Sequence, residues 1–220
     1  MTSYVPLISS IAAFIAGTLT LHLFQKKKER TFLVATASMY LFFLGAFLEF
    51  VSSYLAYWPE ILYRLYYGTS PVQPGLLAAA LLGIYTLDEF TKHRRIYKGY
   101  TGYVAVLGTI VFLLSLIAEV DTPLLSDPYV GGAAMAPYVR ILSPPLTIPS
   151  GIIMIGYPIY AYFKGNKQVD KLLFPLAALI VAIGGAMIRR GLVTLFYLFE
   201  LGGALLLLIA FYLVYKRYSK

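Results

Sequence analysis

Residues 192–215 read LVTLFYLFELGGALLLLIAFYLVY, an apolar run long enough to cross a lipid bilayer. The run contains one carboxylic acid, Glu200, and is followed at once by Lys216 and Arg217. A transmembrane α-helix needs about 20 apolar residues, whereas the strands of a membrane barrel alternate in polarity over ~10 residues. The run therefore predicts a membrane-spanning helix that ends at a basic boundary.

Six further apolar runs precede this one. They cover residues 4–24, 32–58, 72–90, 100–118, 141–163 and 172–188. The chain has 220 residues, 60% of them hydrophobic, and a mean hydropathy of +0.76, which is more apolar side chain than one soluble core could bury. We predict an all-α fold, a polytopic membrane bundle of seven transmembrane helices that forms one transmembrane domain over residues 1–220.

The third run is the weakest, because Pro71 and Pro74 interrupt its start and its apolar core covers only 76–87. A re-entrant segment is the alternative. Positive charge favours a full crossing, since seven spans collect fourteen cations on one side: Lys26, Lys27, Lys28, Arg30, Lys92, Arg94, Arg95, Lys98, Lys164, Lys167, Lys171, Lys216, Arg217 and Lys220. The other side receives Arg64, Arg140, Arg189 and Arg190. Basic loops stay in the cytoplasm, so we expect the N-terminus outside the cell membrane and the C-terminus inside.

Two connecting features have local signatures. Residues 59–67, PEILYRLYY, are expected to form a short helix lying on the outer membrane surface, with an aromatic-rich loop as the alternative. The fifth run should be kinked or unwound near its outer end, because each proline removes a backbone donor. Its four prolines are Pro144, Pro145, Pro149 and Pro158.

Two acids lie inside predicted spans, where an ionisable group is costly and turns inward or pairs. Glu49 precedes Trp58 by nine residues, and Glu200 follows Leu192 by eight. At 1.5 Å per residue, both lie roughly 12 to 14 Å below the outer boundary. Equal depth on antiparallel helices allows both carboxylates to face one outward-open cavity.

The candidate ligand- or ion-binding residues are the two acids and three cations expected on the same side. They are Glu49, Glu200, Arg140, Arg189 and Arg190. Carboxylates suit a cation or a proton, and arginines suit an anion. The alternative is that the two acids are protonated or paired and hold helices together without any ligand.

Several kinds of chemistry have no signature in the chain. It contains no cysteine, which excludes disulfides and thiolate-ligated metals. No metal-binding, nucleophile or phosphate-loop motif occurs, and His22 and His93 lie near span ends, so neither metal nor haem nor another cofactor is expected. The chain is similar to the seven-helix microbial rhodopsins in helix count alone, because residues 192–215 lack the lysine that holds retinal. The cations punctuate apolar spans, which indicates membrane topology rather than nucleic-acid binding.

Three functions remain compatible with these features. The first is a small-molecule binding or sensing module, or an accessory subunit of a membrane complex. The second is a small-solute or ion transporter, coupled to protons through Glu49 and Glu200. The third, an enzyme acting within the membrane, has the least support. The expected partners are the lipid bilayer and other membrane proteins or further copies of the chain. One asparagine, three glutamines and no cysteine also suggest a thermophilic source.

Overall fold

The structure is a computed structural model that describes residues 4–88, 91–188 and 190–219. Over these residues the fold is α-helical, with two short 3₁₀ turns. The helices are α1 (Val5–Lys27), α2 (Arg30–Leu55), α3 (Glu60–Thr69), α4 (Val72–Asp88), α5 (Arg94–Ile117), α6 (Pro137–Arg140), α7 (Ser143–Lys164), α8 (Asp170–Ile188) and α9 (Val193–Tyr218). Seven helical segments are long and apolar enough to cross a membrane, which agrees with the number predicted.

The helix termini gather at two ends of the bundle. At one end, which we call the basic end, α1, α4, α7 and α9 finish where α2, α5 and α8 start. Contacts across this end include the Lys26 ammonium, which donates a hydrogen bond to the carbonyl of Ser219, and an ion pair between Arg217 and Asp170. The opposite end, which we call the loop end, holds the long connection 118–136 between α5 and α6.

Helix α3 forms the loop-end part of the third candidate span, Glu60–Leu87. Residues of α3 and then of α4 contact α5 in antiparallel order. The contacts are Arg64 with Leu116, Gly68 with Phe112, Val72 with Gly108, Gly75 with Val104 and Gly83 with Tyr97. Each step along α3 and α4 is matched, to within one residue, by a step back along α5. The expected short helix is found, as Glu60–Thr69, but it packs along α5 in line with α4, and its Tyr63 and Tyr67 are buried. The third span extends over Glu60–Leu87, and Pro71 lies at the turn inside it.

Six helices form a closed ring in the order α1, α2, α4, α7, α8 and α9, and α5 packs outside it against α4. Their shared core lies in the half nearer the basic end and includes Leu23, Phe32, Met39, Leu81, Phe174 and Phe211. Lipid is as apolar as this core, so the helices are held by close packing rather than by withdrawal from water. Glycines allow that closeness, since a Cβ atom on Gly203 would meet Val181 and one on Gly184 would meet Phe199.

Helix α7 is continuous despite its prolines, so the expected unwinding near its outer end is not found. Pro144 and Pro145 occupy the first turn, where backbone N–H groups have no helical partner in any case. Pro149 lies inside the helix and cannot donate to the carbonyl of Pro145. The Tyr103 hydroxyl donates to that carbonyl instead, at 2.7 Å, so a neighbouring helix restores the missing hydrogen bond.

The connection 118–136 folds over the loop end and is held by Trp58. The Trp58 backbone N–H donates to the carbonyl of Leu125 at 2.9 Å, and its indole Nε1–H donates to the carbonyl of Pro128 at 2.8 Å. Asp121 and Ala134 close the connection on itself through a 2.9 Å backbone hydrogen bond. Residues 118–136 thus form a lid over the loop-end termini of α2, α3 and α9.

Candidate functional site

The structure brings the two acids of the spans together. The carboxyl groups of Glu49 on α2 and Glu200 on α9 lie close enough to interact directly. Glu200 is 6% exposed, and Glu49 is half-buried as a residue. The Oε2 atoms of both acids are buried, and neither receives a hydrogen bond from another donor among the described residues. We call these two residues the acid pair.

We expect the acid pair to share a proton. A carboxylate oxygen accepts hydrogen bonds and cannot donate one, so two carboxyl groups hydrogen-bond to each other only if one of them is protonated. Two negative charges at close range would also repel strongly in a buried site. The expected net charge of the pair is therefore at most one negative charge.

Tyr66 of α3 provides a hydrogen-bond donor to the acid pair. The Tyr66 hydroxyl donates to Glu49 Oε1 at 2.5 Å, a short hydrogen bond of the kind made to an acid. Tyr66 is placed there because α3 continues the third span, and its ring packs against Trp58 with centroids 4.9 Å apart. Three helices, α2, α3 and α9, thus meet at one polar point.

The space beside the acid pair is closed. A gap of about 10 Å³ remains, bordered by Glu49, Trp58, Tyr66, Pro128, Tyr129, Gly131, Phe196 and Tyr197. A single water molecule needs roughly 10–15 Å³ of such volume. Over the described residues, the space at Glu49 is this narrow gap, bordered by Pro128, Tyr129 and Gly131 of the lid, rather than the outward-open cavity expected around both carboxylates.

A larger cavity lies on the other side of the lid. It measures about 780 Å³, and its wall includes Tyr67, Tyr129, Gly131, Gly132, Ala133, Arg140, Ser143 and Thr147. We call it the loop-end cavity. The Tyr67 and Ser143 hydroxyls are hydrogen-bonded at 2.9 Å, so the wall carries polar groups that are already oriented. Tyr129 and Gly131 border both this cavity and the gap beside the acid pair.

The described arginines of the loop end do not contact the acid pair. Arg140 lines the loop-end cavity and donates to the carbonyl of Ala133 at 3.4 Å. Arg190 is exposed in the turn between α8 and α9. Arg189 lies outside the described residues.

Arg64 caps the C-terminal end of α5 rather than binding the acid pair. Its Nη1 donates to the carbonyls of Leu116 and Ala118 at 2.9 and 2.5 Å, at the C-terminal end of α5. Its guanidinium also forms an ion pair with Glu60 at 2.6 Å. A cation at a helix C-terminus satisfies free carbonyls and complements the helix dipole.

Charged side chains are also buried at the basic end. Arg217 and Asp170 form an ion pair at 2.8 Å, and Asp170 is 4% exposed. Lys171 is fully buried and donates to the carbonyls of Ala161 and Asn166 at 3.2 and 2.9 Å, at the end of α7. Sequence reasoning counted Lys171 as one more loop cation. The acid–base order Asp170-Lys171 at the start of a helix was the available signal.

No family model matches the chain, and neither a curated protein nor a solved structure is similar enough to it to count as a match.

Proposed function

We propose that this protein is a membrane-embedded binding and sensing module whose loop-end cavity receives a small polar ligand. The observation that carries the proposal is a cavity of about 780 Å³ that shares Tyr129 and Gly131 with the closed acid pair. Small-molecule sites in proteins measure about 300–1,000 Å³ and combine apolar walls with a few placed polar groups. Arg140, Ser143 and Tyr67 are those groups, and the guanidinium favours a ligand with a carboxylate or phosphate.

The lid provides a route from the ligand to the helices. Tyr129 packs its ring against Tyr197 of α9, with centroids 6.2 Å apart. Pro128 receives the indole hydrogen bond of Trp58, whose ring in turn packs on Tyr66. A ligand that moves residues 128–131 therefore changes the packing around the acid pair, where α2, α3 and α9 meet.

The charge distribution gives the orientation within this proposal. Of the eighteen cations in the chain, thirteen described ones lie at the helix ends and turns of the basic end, which is the end expected in the cytoplasm of a cell membrane. The loop-end cavity then opens to the outside. A signal would pass from an external ligand, through the lid, to the helix ends inside.

The experiment uses Trp58, the one tryptophan of the chain, as a reporter. Purified protein is titrated with small carboxylates, phosphates and uncharged sugars while its fluorescence and melting temperature are recorded. We expect an anionic compound to change the fluorescence and raise the melting temperature, and Arg140→Gln to weaken its binding about tenfold, since a charge-assisted contact contributes roughly 1.5–3 kcal/mol. Arg190→Gln, an equal loss of charge at the same end, should leave binding unchanged.

A cysteine placed in the cavity tests access without knowledge of the ligand. The chain has no cysteine, so Ala133→Cys gives a single thiol beside Arg140. A negatively charged thiol reagent should react at least about threefold faster than a positively charged one of equal size, because a cationic cleft concentrates anions. Arg140→Gln should remove this preference, and Ser126→Cys, on the exposed part of the lid, should show none. An unreactive thiol at 133, or equal ligand affinities in Arg140→Gln and Arg190→Gln, contradicts the proposal.

A proton-coupled transporter is the second candidate, and the proton shared by Glu49 and Glu200 favours it. Such a protein would open the lid and exchange that proton with a solute. Flux into proteoliposomes driven by a proton gradient should then disappear in Glu49→Gln and persist in Glu119→Gln, which removes an exposed acid from the same end. Absence of flux for every ligand that Trp58 detects leaves the binding module as the function.

A role as accessory subunit is compatible with the same cavity. Co-purification from native membranes separates the two forms of the proposal, because a subunit brings stable companion proteins and an independent sensor does not.

A further inference from the structure

A second large cavity lies at the basic end, away from the acid pair and the lid. It measures about 840 Å³ and lies between the α1–α2 turn and the first turns of α5, against the end of α4. We call it the basic groove and define it by Lys28, Arg30, Thr31, Thr86, Arg94 and Lys98. The binding and sensing function proposed above makes no use of it.

Close packing at Gly83 marks the inner end of the basic groove. A Cβ atom on Gly83 would lie 1.7 Å from Thr31 Oγ1 and 3.0 Å from the Tyr97 ring. Helices α2 and α5 therefore meet across α4 at this level. Thr31 and Thr86, both buried, form the polar floor of the space between that level and the basic end.

The rim of the basic groove carries an excess of positive charge. Lys28, Arg30, Arg94 and Lys98 line it together with one described acid, Glu29. None of these four cations forms an ion pair or side-chain hydrogen bond with any described residue. Other cations near helix ends are already used: Lys26 caps α9, Lys171 caps α7, Arg64 caps α5 and Arg217 pairs with Asp170.

Helix α2 adds its own positive end to the groove. It begins at Arg30 without a side-chain cap and without an acid in its first turn. The N–H groups of a helix's first turn have no intrahelical partner, and with the helix dipole they attract anions. The four cations and this helix end point to the same class of ligand.

The groove also continues along an apolar flank of α5. Leu87, Gly102 and Ala105 continue its wall along the spans, and the adjoining surface of α5 exposes Val106, at 65%. Apolar surface directly below a cationic rim matches a lipid, whose acyl chains leave the headgroup in one direction. A soluble phosphate compound would gain nothing from that apolar wall.

We propose that the basic groove binds the phosphate headgroup of an anionic phospholipid, with the acyl chains along α5. Basic pockets between transmembrane helices bind headgroups of this kind. The proposal does not depend on the ligand of the loop-end cavity, nor on which side of the membrane the basic end faces.

Native mass spectrometry of the full chain in detergent tests the site by titration with phosphatidylglycerol and phosphatidylcholine. We expect phosphatidylglycerol to bind at least about tenfold more tightly, since each cation near an anionic headgroup contributes roughly 1 kcal/mol, or about fivefold. The variant K28Q/R30Q/R94Q/K98Q should lose at least about tenfold in affinity. The control K27Q/K164Q/K167Q/K216Q removes four exposed lysines from the same end and should lose less than about twofold. Equal losses in both variants would show diffuse charge and overturn the proposal.

A second pair of variants keeps every charge and therefore also tests the site if the quadruple variant does not fold. Gly102 lines the groove and Gly99 does not, and a Cβ atom at either meets nothing within 4 Å. Gly102→Leu should weaken phosphatidylglycerol binding at least about fivefold by filling the groove, whereas Gly99→Leu should leave it unchanged. Equal affinities in these two variants would overturn the proposal. Displacement of the lipid by millimolar glycerol phosphate or ATP would assign the groove to soluble phosphates and would overturn the proposal of a lipid ligand.

Discussion

Glu49 and Glu200 at the loop end differ from Asp170 and Arg217 at the basic end in the signs of the charges they bring together. Both contacts join α9 to another helix and both are buried. In the acid–base contact the opposite charges attract, and Arg217 Nη2 donates to Asp170 Oδ2 at 2.8 Å. The acid–acid contact needs a proton and a tyrosine donor. The contact between Asp170 and Arg217 holds two helices together. The contact between Glu49 and Glu200 changes when one proton is added or removed.

Breaking the ion pair between Asp170 and Arg217 should cause the largest loss in the free energy of unfolding. Asp170→Asn leaves the guanidinium of Arg217 with a neutral partner and removes the acid from the first turn of α8. Loss of one member of a buried pair costs about 3 kcal/mol, the lower end applying because Arg217 is partly exposed. The free energy of unfolding, measured in mixed micelles, gives this value. Lys216→Gln, an exposed charge one residue from Arg217, is the control and should change it by less than about 0.5 kcal/mol.

The stability of the contact between Glu49 and Glu200 should depend on the shape and the hydrogen-bond donors of the side chain at position 49 rather than on its charge. Glu49→Gln supplies an amide that can donate to Glu200 and accept from Tyr66. The free energy of unfolding should therefore change by less than about 1 kcal/mol. Glu49→Leu leaves Glu200 and the Tyr66 hydroxyl without that partner and should cost about 2 kcal/mol.

Infrared spectra give an independent measure of the shared proton. The carbonyl band of a protonated carboxylic acid should be present in the native protein and absent in the double variant Glu49→Gln/Glu200→Gln. A native spectrum without this band would mean that the pair holds no proton, and the contrast with Asp170 and Arg217 would disappear.

Removal of the tyrosine donor should cost less stability than Glu49→Leu. Tyr66→Phe removes one hydrogen bond to Glu49 and keeps the ring against Trp58, so we expect a loss of about 1 kcal/mol. Tyr54→Phe, on an exposed tyrosine near the end of α2, is the matched control. If both substitutions cost the same, the hydroxyl of Tyr66 contributes nothing to the acid pair.

The meeting of Glu49 and Glu200 was foreseeable from the chain, but their immediate surroundings were not. Equal depth on antiparallel spans placed the two acids at one level, and a costly ionisable group turns inward. Tyr66 was not foreseen, because residues 59–67 carry aromatic and charged residues typical of a surface helix. The separation of Arg140 from the acids was also not foreseen, since it depends on the path of the 118–136 lid.

The apolar runs alone predicted the seven candidate spans, because a bilayer needs about 20 apolar residues per helix, and with the cations they gave an expected orientation and an expected depth for the acids. The tertiary structure alone decided which face of each helix is buried, how α3 joins α4, and why Lys171 lies inside the bundle. In a membrane-spanning helix the buried face and the lipid-facing face are both apolar, so polarity does not mark the face that points inward. Close packing around glycines and a few hydrogen bonds makes that choice, and those contacts join residues far apart in the chain.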